Sequence, residues 1–382
     1  MKTWKNLSLI LLLALALAGC RNKSSNLTDF NRSVYTPGYA SGFDVKGADG
    51  RQSVLLTVTN PWQGAEGVET ALFIARDGEP APAGFEGQVL RDETRRVVCM
   101  SGSYIAMLDA LGAADRVVGV SGAQYLINET LRRRIARGEA ADVGFDSNVD
   151  FERLMALRPD LVMLFGIGGA DTALTGKLRE LGIPYLYMGE HCEESPLGKS
   201  EWVVVAAEIA GLRTEGSRLF ATIPERYERL RALAQQTAAR PRVMLNTPYR
   251  DTWFMPARNS YMVRLLEDAG ARYVFEENTA TQTLPIDIEQ AYYLTSKSDF
   301  WLNVSGCNTL DEVRRQNPRL ADTPPVREGR VYDNNRRRNA AGGSDFWESG
   351  VLRPDRVLAD LVHIFHPELS ETDELYYYRQ LE

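Results

Sequence analysis

With 382 residues the chain is longer than one core usually fills, so two lobes or domains are expected. Hydrophobic residues make up 44% and charged residues 25%, which excludes disordered and fibrous architectures. A formal net charge of −7 argues against nucleic acid as a partner, although it leaves room for a local basic patch.

Lys2 and Lys5 precede an apolar run, residues 9–18, that ends in Leu17-Ala18-Gly19-Cys20. This is the grammar of a lipoprotein signal peptide with a lipobox over residues 1–20, in which the Cys20 thiol is diacylated and becomes the new N-terminus. The run falls short of the roughly 20 residues a spanning helix needs. The expected location is therefore outside the cytoplasm, lipid-anchored on the periplasmic side of the cell membrane. Cys99, Cys192 and Cys307 remain, an odd number that gives no disulfide framework. Cys99 reads as a buried small hydrophobe, and Cys192 and Cys307 as loop residues after strands.

Residues 21–95 read as a polar tether and a β-rich extension. Ser53 to Thr59 and Thr70 to Ile74 are its strands, the first preceded by turn residues and ended by Asn60-Pro61-Trp62. No function follows from this extension. From Arg96 the pattern becomes short apolar runs alternating with helical segments, the writing of a parallel sheet covered by helices. Strands are predicted at 97–100, 117–120, 161–165 and 185–188, and helices at 105–111, 151–157 and 173–181, the last stopped by Gly182. These make an N-terminal α/β lobe over residues 96–200. Residues 201–240 read as a helical connector with a break at Gly211, apolar at Leu219, Ile223, Tyr227, Leu230 and Leu233, and long enough to span about 37 Å. A second α/β block over 241–382 repeats the order of the first, with strands at 242–245, 300–304 and 330–332, helices at 261–269 and 288–294, and a C-terminal helix.

Several segments carry a family resemblance. In the first block they are Arg96-Val97-Val98-Cys99-Met100-Ser101, Leu108-Asp109-Ala110-Leu111-Gly112, Arg116-Val117-Val118-Gly119-Val120, Phe151 through Val162, and Leu181-Gly182-Ile183-Pro184. In the second they are Pro241-Arg242-Val243, Leu265 through Gly270, Ile288-Glu289-Gln290-Ala291 and Glu328-Gly329-Arg330-Val331-Tyr332. In order and spacing these resemble the helical-backbone (class III) periplasmic binding proteins that serve siderophore, haem and vitamin B12 importers. The resemblance implies an α/β fold of two Rossmann-like lobes with mainly parallel sheets joined by one long helix. It implies a monomeric, non-enzymatic protein without a cofactor, whose partners are an ABC-transporter permease and a metal-organic small molecule: a ferric siderophore, cobalamin or haem. It also implies that one exposed glutamate per lobe, Glu152 and Glu289, docks on permease arginines. The family's glutamate in the first helix is replaced by Ala106 here, so that role does not carry over.

Ligands of open α/β sheets sit beyond the carboxyl ends of the strands. In the first lobe the loops there bring Ser101, Ser103, Tyr104, Phe145, Asp146, Phe165 and His191. In the second they bring Tyr249, Trp253, Arg258, Tyr261, Asn303 and Asn308. Aromatic walls with a few polar groups suit a large planar or amphiphilic ligand. The run Arg336-Arg337-Arg338, followed by Gly342-Gly343 and Trp347, is unusual in an acidic chain and could grip carboxylates, catecholates or phosphates, with at most one or two of the arginines facing the cleft. His191 or Tyr104 could serve as a haem ligand, but nothing fixes their geometry.

A metal-ion receptor would need three or four convergent ligands, and His191, His363 and His366 are the whole histidine supply. Gly166 through Asp171 imitates a dinucleotide fingerprint, but Asp171 replaces the third glycine and would repel pyrophosphate. No Gly-x-Ser-x-Gly elbow marks a hydrolase. An adhesion or scaffold lipoprotein would not need matched lobes. Among metal-organic ligands an iron chelate is the first choice.

Overall fold

The computed structural model describes residues 25–382 apart from 92, 93, 167, 168, 170, 171, 251, 281, 371 and 372. The leader with Cys20, and most of the run from Gly166 to Asp171, lie outside the described residues.

The extension is a five-stranded sheet in chain order: β1 (Arg32–Tyr35), β2 (Phe43–Gly47), β3 (Val54–Thr59), β4 (Glu69–Ile74) and β5 (Gln88–Leu90). All pairs are antiparallel except β4 with β5. Along β3, Val54, Leu56 and Val58 are buried while their neighbours are half-exposed, so alternation turns one face onto the core. Two buried carboxylates, one at the end of the first lobe and one at the start of the connector, hold the turn between β1 and β2. Glu201 accepts from the Tyr35 hydroxyl at 2.7 Å and from the backbone N–H groups of Gly38, Tyr39 and Ala40 at 2.7–2.8 Å. Glu193 accepts from the N–H groups of Ser41 and Gly42 and from the Trp202 indole. Charge-assisted bonds of this kind are about twice as strong as neutral ones.

The first lobe contains β6 (Val97–Cys99), α1 (Gly102–Ala110), β7 (Val117–Val120), β8 (Ala141–Asp142), α2 (Phe151–Leu157), β9 (Leu161–Phe165), α3 (Ala173–Leu181) and β10 (Tyr185–Met188). Its sheet is parallel throughout, in the order β10-β9-β6-β7-β8. The uninterrupted apolar strands are explained by burial on both faces: every residue of β6 and β7 is buried.

Helices α4 (Pro196–Glu201), α5 (Val203–Ile209) and α6 (Arg213–Ala234) follow. The break falls at Gly211, whose φ is +67°. The uninterrupted part, α6, is 22 residues long and so about 33 Å, somewhat shorter than the sequence suggests. Its buried stripe is Phe220, Ile223, Tyr227, Leu230 and Ala234, so Leu219 and Leu233 flank the buried face rather than centre it. The Tyr227 hydroxyl donates to Asp268 of the second lobe at 2.7 Å.

The second lobe contains β11 (Arg242–Leu245), β12 (Pro248–Tyr249), β13 (Thr252–Met255), α7 (Tyr261–Asp268), β14 (Arg272–Tyr273), β15 (Leu284–Ile286), α8 (Ile288–Ser296), β16 (Phe300–Leu302), β17 (Val331–Asp333), α9 (Pro354–Phe365) and β18 (Arg379–Gln380). Its main sheet runs β14-β11-β16-β17-β18, parallel except for the C-terminal strand. Strands β12, β13 and β15 form a small antiparallel sheet that the sequence does not announce.

The second lobe also reaches back to the first through residues 334–348. Asn339 Nδ2 donates to the carbonyls of Gln124 and Leu126 at 2.9 and 3.1 Å. Glu348 accepts from the N–H groups of Ile127 and Asn128 at 3.0 and 2.6 Å. At Gly343 the strap lies so close that a Cβ would sit 1.7 Å from the Tyr125 carbonyl oxygen, which admits only glycine.

Candidate functional site

Between the lobes lies an open cleft of about 570 Å³, within the size range of small-molecule sites. The first lobe contributes the segment after β10, from His191 to Glu194. The second contributes Asn246, Phe254, Pro256, Ala257, the stretch from Asn259 to Met262, Gln282, Thr283, Asn303, Ser305, Asn334 and Trp347. The extension supplies a third part, the β3–β4 loop, with Asn60, Trp62, Gln63, Gly64 and Ala65.

Local chain geometry positions these groups. Asn246 and Asn303 directly follow the adjacent parallel strands β11 and β16, and both adopt left-handed backbone, φ +66° and +60°. Asparagine tolerates that conformation better than most residues, and strained backbone concentrates at functional sites. Asn303 Oδ1 accepts from the Tyr378 hydroxyl at 3.0 Å, and Asn246 Nδ2 donates to the Phe254 carbonyl at 2.9 Å, so neither is free to swing. Across the cleft, Asn259 donates to Glu194, one hydrogen bond linking the two lobes over the gap.

Beneath the first-lobe wall sits a buried polar group. Glu190 Oε1 accepts from Ser103 Oγ at 2.9 Å, and Ser103 in turn shares a hydrogen bond of 2.9 Å with Ser101. Lys199 donates to the Glu190 carbonyl at 2.9 Å and lies 4.6 Å over the Tyr261 ring, a cation–π contact between lobes. Burial pulls the Lys199 ammonium down to about 8, against the opposing pull of Glu190. His191 stacks on Phe165 at 4.1 Å, and its Nε2 is 3.0 Å from the Gly166 carbonyl. Burial favours the neutral imidazole, but the neighbouring Cys192 and Glu190 outweigh it and carry the group up to about 9. Nδ1 of His191 and Oε2 of Glu190 have no hydrogen-bond partner among the described residues and stand 3.9 Å apart.

Of the residues proposed from sequence, His191, Tyr261, Trp347 and Asn303 line the cleft. Phe165 reaches it only as the platform under His191, and Ser101 only through Ser103 and Glu190. Tyr104 is a correction: it is fully buried, its hydroxyl donates to the Leu164 carbonyl at 3.2 Å, and it belongs to the core under α1. Trp253 is another, buried with its indole N–H on the Leu245 carbonyl and its ring against Trp301 at 5.5 Å. Phe145 and Asp146 are exposed on the loop after β8, Phe145 against Tyr125 rather than in the cleft. Arg258 is engaged by Glu267, and Asn308 accepts from Arg379 at 3.1 Å; neither is a lining residue, nor is the exposed Tyr249.

The arginine run is the largest correction, because none of the three lines the cleft. Arg336 pairs with Glu374 at 2.9 Å, Arg337 pairs with Asp345 at 2.7 Å and stacks over Tyr376, and Arg338 is exposed at the base of the inter-lobe strap. Carboxylates and an aromatic ring within the same lobe already engage Arg336 and Arg337. Glu152 and Glu289 are exposed in the first turns of α2 and α8, and Glu289 is 3.3 Å from the equally exposed Arg319. Cys192 lines the cleft, whereas Cys307 and Cys99 are buried. No group of three or more metal-ligating side chains stands together among the described residues.

This architecture is matched by known proteins. The model of the family described as periplasmic binding protein fits residues 97–336. The chain belongs to the periplasmic binding protein family. A relative in Methanocaldococcus jannaschii, an uncharacterized lipoprotein, is 26% identical over 290 residues, covering 74% of this chain and 67% of the relative. A periplasmic heme binding protein from Pseudomonas aeruginosa superposes with a TM-score of 0.58 at 19% identity, over 76% of this chain and 98% of that one. An ABC-type Fe3+-hydroxamate transport system protein from Saccharomonospora viridis superposes with a TM-score of 0.55 at 17% identity, over 81% and 98%. These likenesses fix the fold as that of a periplasmic binding protein. The family match starts where β6 starts, so the extension and its cleft-lining loop stand outside it.

Sequence reasoning missed the extension's share, although Asn60-Pro61-Trp62 carried a signal: a turn that sets an aromatic just beyond a strand end. It also missed Asn246, Phe254, Asn259 and Gln282, because the small sheet that carries or flanks them has no periodicity long enough to read.

Proposed function

We propose that this protein is the solute-binding lipoprotein of an ABC importer, anchored through Cys20 on the periplasmic side of the membrane. It captures a metal-organic ligand, an iron chelate before haem or cobalamin, in the inter-lobe cleft, and presents it to the permease through Glu152 and Glu289. The observation that supports this most is the cleft itself. It is a concave space of about 570 Å³ between two α/β lobes, at the carboxyl ends of β10, β11 and β16, walled by Trp62, Phe254, Tyr261 and Trp347 with carboxamides between them. The names of two superposing proteins, one heme-binding and one an Fe3+-hydroxamate transport protein, support the ligand class.

The test is a panel of ferrichrome, ferric enterobactin, haemin and cyanocobalamin, followed by native mass spectrometry and by quenching of tryptophan fluorescence. Saturable 1:1 binding of at least one member at micromolar concentration is expected. Trp347, more than half exposed at the cleft edge, is the reporter. A protein that binds none of the four would not be a receptor of this kind.

A further inference from the structure

The β3–β4 loop is built as a fixed wall. Asn60 turns the chain with φ +48°, its N–H donates to the Val68 carbonyl at 2.8 Å, and its side-chain oxygen accepts from the Val68 N–H at 3.0 Å. The Ala65 N–H closes the turn onto the Trp62 carbonyl at 3.1 Å. Trp62 packs edge-on against Tyr187 of β10 at 5.4 Å. Gly166 lets the loop approach, since a Cβ there would meet the Pro61 carbonyl at 2.6 Å. With the Glu201 and Glu193 clasp holding the same sheet, this wall moves with the first lobe. Gln63, at the tip, is exposed to the cleft.

The completed cleft has a particular chemistry. Its polar lining is dominated by carboxamides, among them Asn60, Gln63, Asn246, Asn259, Asn303 and Asn334, and it contains no arginine or lysine among the described residues. Its charged members are His191, which faces Glu190, and the carboxylates Glu193 and Glu194, of which Glu193 is consumed by the clasp. A carboxamide offers both donors and an acceptor, which matches amide and hydroxyl groups. An anionic chelate would lose its hydration beside Glu194, and the basic group of the lining, His191, already faces the buried Glu190 carboxylate at 3.9 Å, so the cost is poorly compensated.

We propose that the β3–β4 loop of the N-terminal sheet is a ligand-contacting third wall, and that the cleft it completes takes a chelate without net negative charge that presents amide or hydroxyl groups. This rests on the reading of the cleft as the solute site. The test is calorimetric titration of the full mature chain, and of its Gln63→Trp and Gln63→Ala variants, with ferrichrome, a neutral ferric trihydroxamate, and with ferric enterobactin, an anionic ferric tris-catecholate. The expected result is that ferrichrome binds at least 10-fold tighter than ferric enterobactin. Gln63→Trp should weaken ferrichrome at least 10-fold and Gln63→Ala several-fold, all three proteins melting at the same temperature. Ferrichrome binding unchanged in both variants would overturn the third wall while leaving the import reading intact. Preference for ferric enterobactin would overturn the charge rule alone. Failure of the wild-type chain to bind either chelate would overturn the inference, and the four-ligand panel would decide the import reading separately.

Discussion

Glu348 shows what one buried carboxyl does when it bridges two lobes. Burial is the main cause that carries it up to about 7, against the two N–H groups of Ile127 and Asn128, with Asp345 and Asp109 adding to the rise. Between its ordinary value of 4.5 and about 7 the folded protein holds a proton that the unfolded chain releases. The stabilisation is therefore complete below about 4.5 and is lost as the pH rises through about 7. Asp333, carried by burial up to about 6, acts in the same direction. Urea unfolding at pH 5 and pH 7.5 should show the wild type losing on the order of 2 kcal/mol more than Glu348→Gln over this interval. Equal losses in the two proteins would mean that Glu348 titrates normally.

At the scale of elements, Glu201 ties the extension to the rest of the chain through the turn between β1 and β2. A glutamine there would turn an amide N–H₂ toward two groups that are themselves donors, either the Tyr39 and Ala40 N–H pair or the Tyr35 hydroxyl with the Gly38 N–H. Leaving buried donors without acceptors costs roughly 1–3 kcal/mol each. Glu201→Gln should therefore lower stability by about 3 kcal/mol and abolish hydrogen-exchange protection in residues 38–40, while β6 and β7 stay protected. Intact protection there would show that the sheet is held by apolar packing alone. Elements of this kind mark the boundary of what the sequence discloses. Strands β7, β9, β10 and β11 and the helices α2 and α3 were legible residue for residue, and β6, β16 and β17 to within two residues, because burial on both faces writes continuous apolar runs and caps such as Gly182 end them, whereas the two-residue strands β8 and β14 are too short to read. The clasp was not legible, since a glutamate in a helical segment looks the same whether it meets water or a turn 160 residues away. The cleft was half legible for a related reason: strand ends identify the loops, but whether a loop side chain lines the gap or folds back is decided by the partners the fold brings to it, as with Tyr104, Trp253, Arg336 and Arg337.

At the scale of the whole molecule, the separation of the lobes is limited by the 22-residue α6, packed along α9, by the strap from 334 to 348, and by the Lys199–Tyr261 and Asn259–Glu194 contacts. A stiff helix with additional crossing contacts permits small rotations rather than wide closure. The proposed docking groups are matched to that frame. Asp150-Phe151-Glu152 and Asp287-Ile288-Glu289 place an aspartate at the N-cap, accepting from the N–H of Arg153 and Gln290, and set an exposed glutamate in the first turn of α2 and of α8. Each helix leads into a central strand of its lobe, β9 or β16, so the spacing of the two carboxylates follows the spacing of the lobes. Exposed ion pairs govern encounter and register more than they add affinity. A Glu152→Ala, Glu289→Ala double variant should therefore keep wild-type affinity for the ligand and wild-type melting, while uptake by cells carrying it falls at least 10-fold and each single variant is intermediate. The Glu289 arm should show the smaller loss at high salt, because Arg319 at 3.3 Å already competes for that carboxylate. Loss of ligand affinity in step with uptake would place these glutamates in the binding machinery instead, and full uptake by the double variant would remove them from the docking surface.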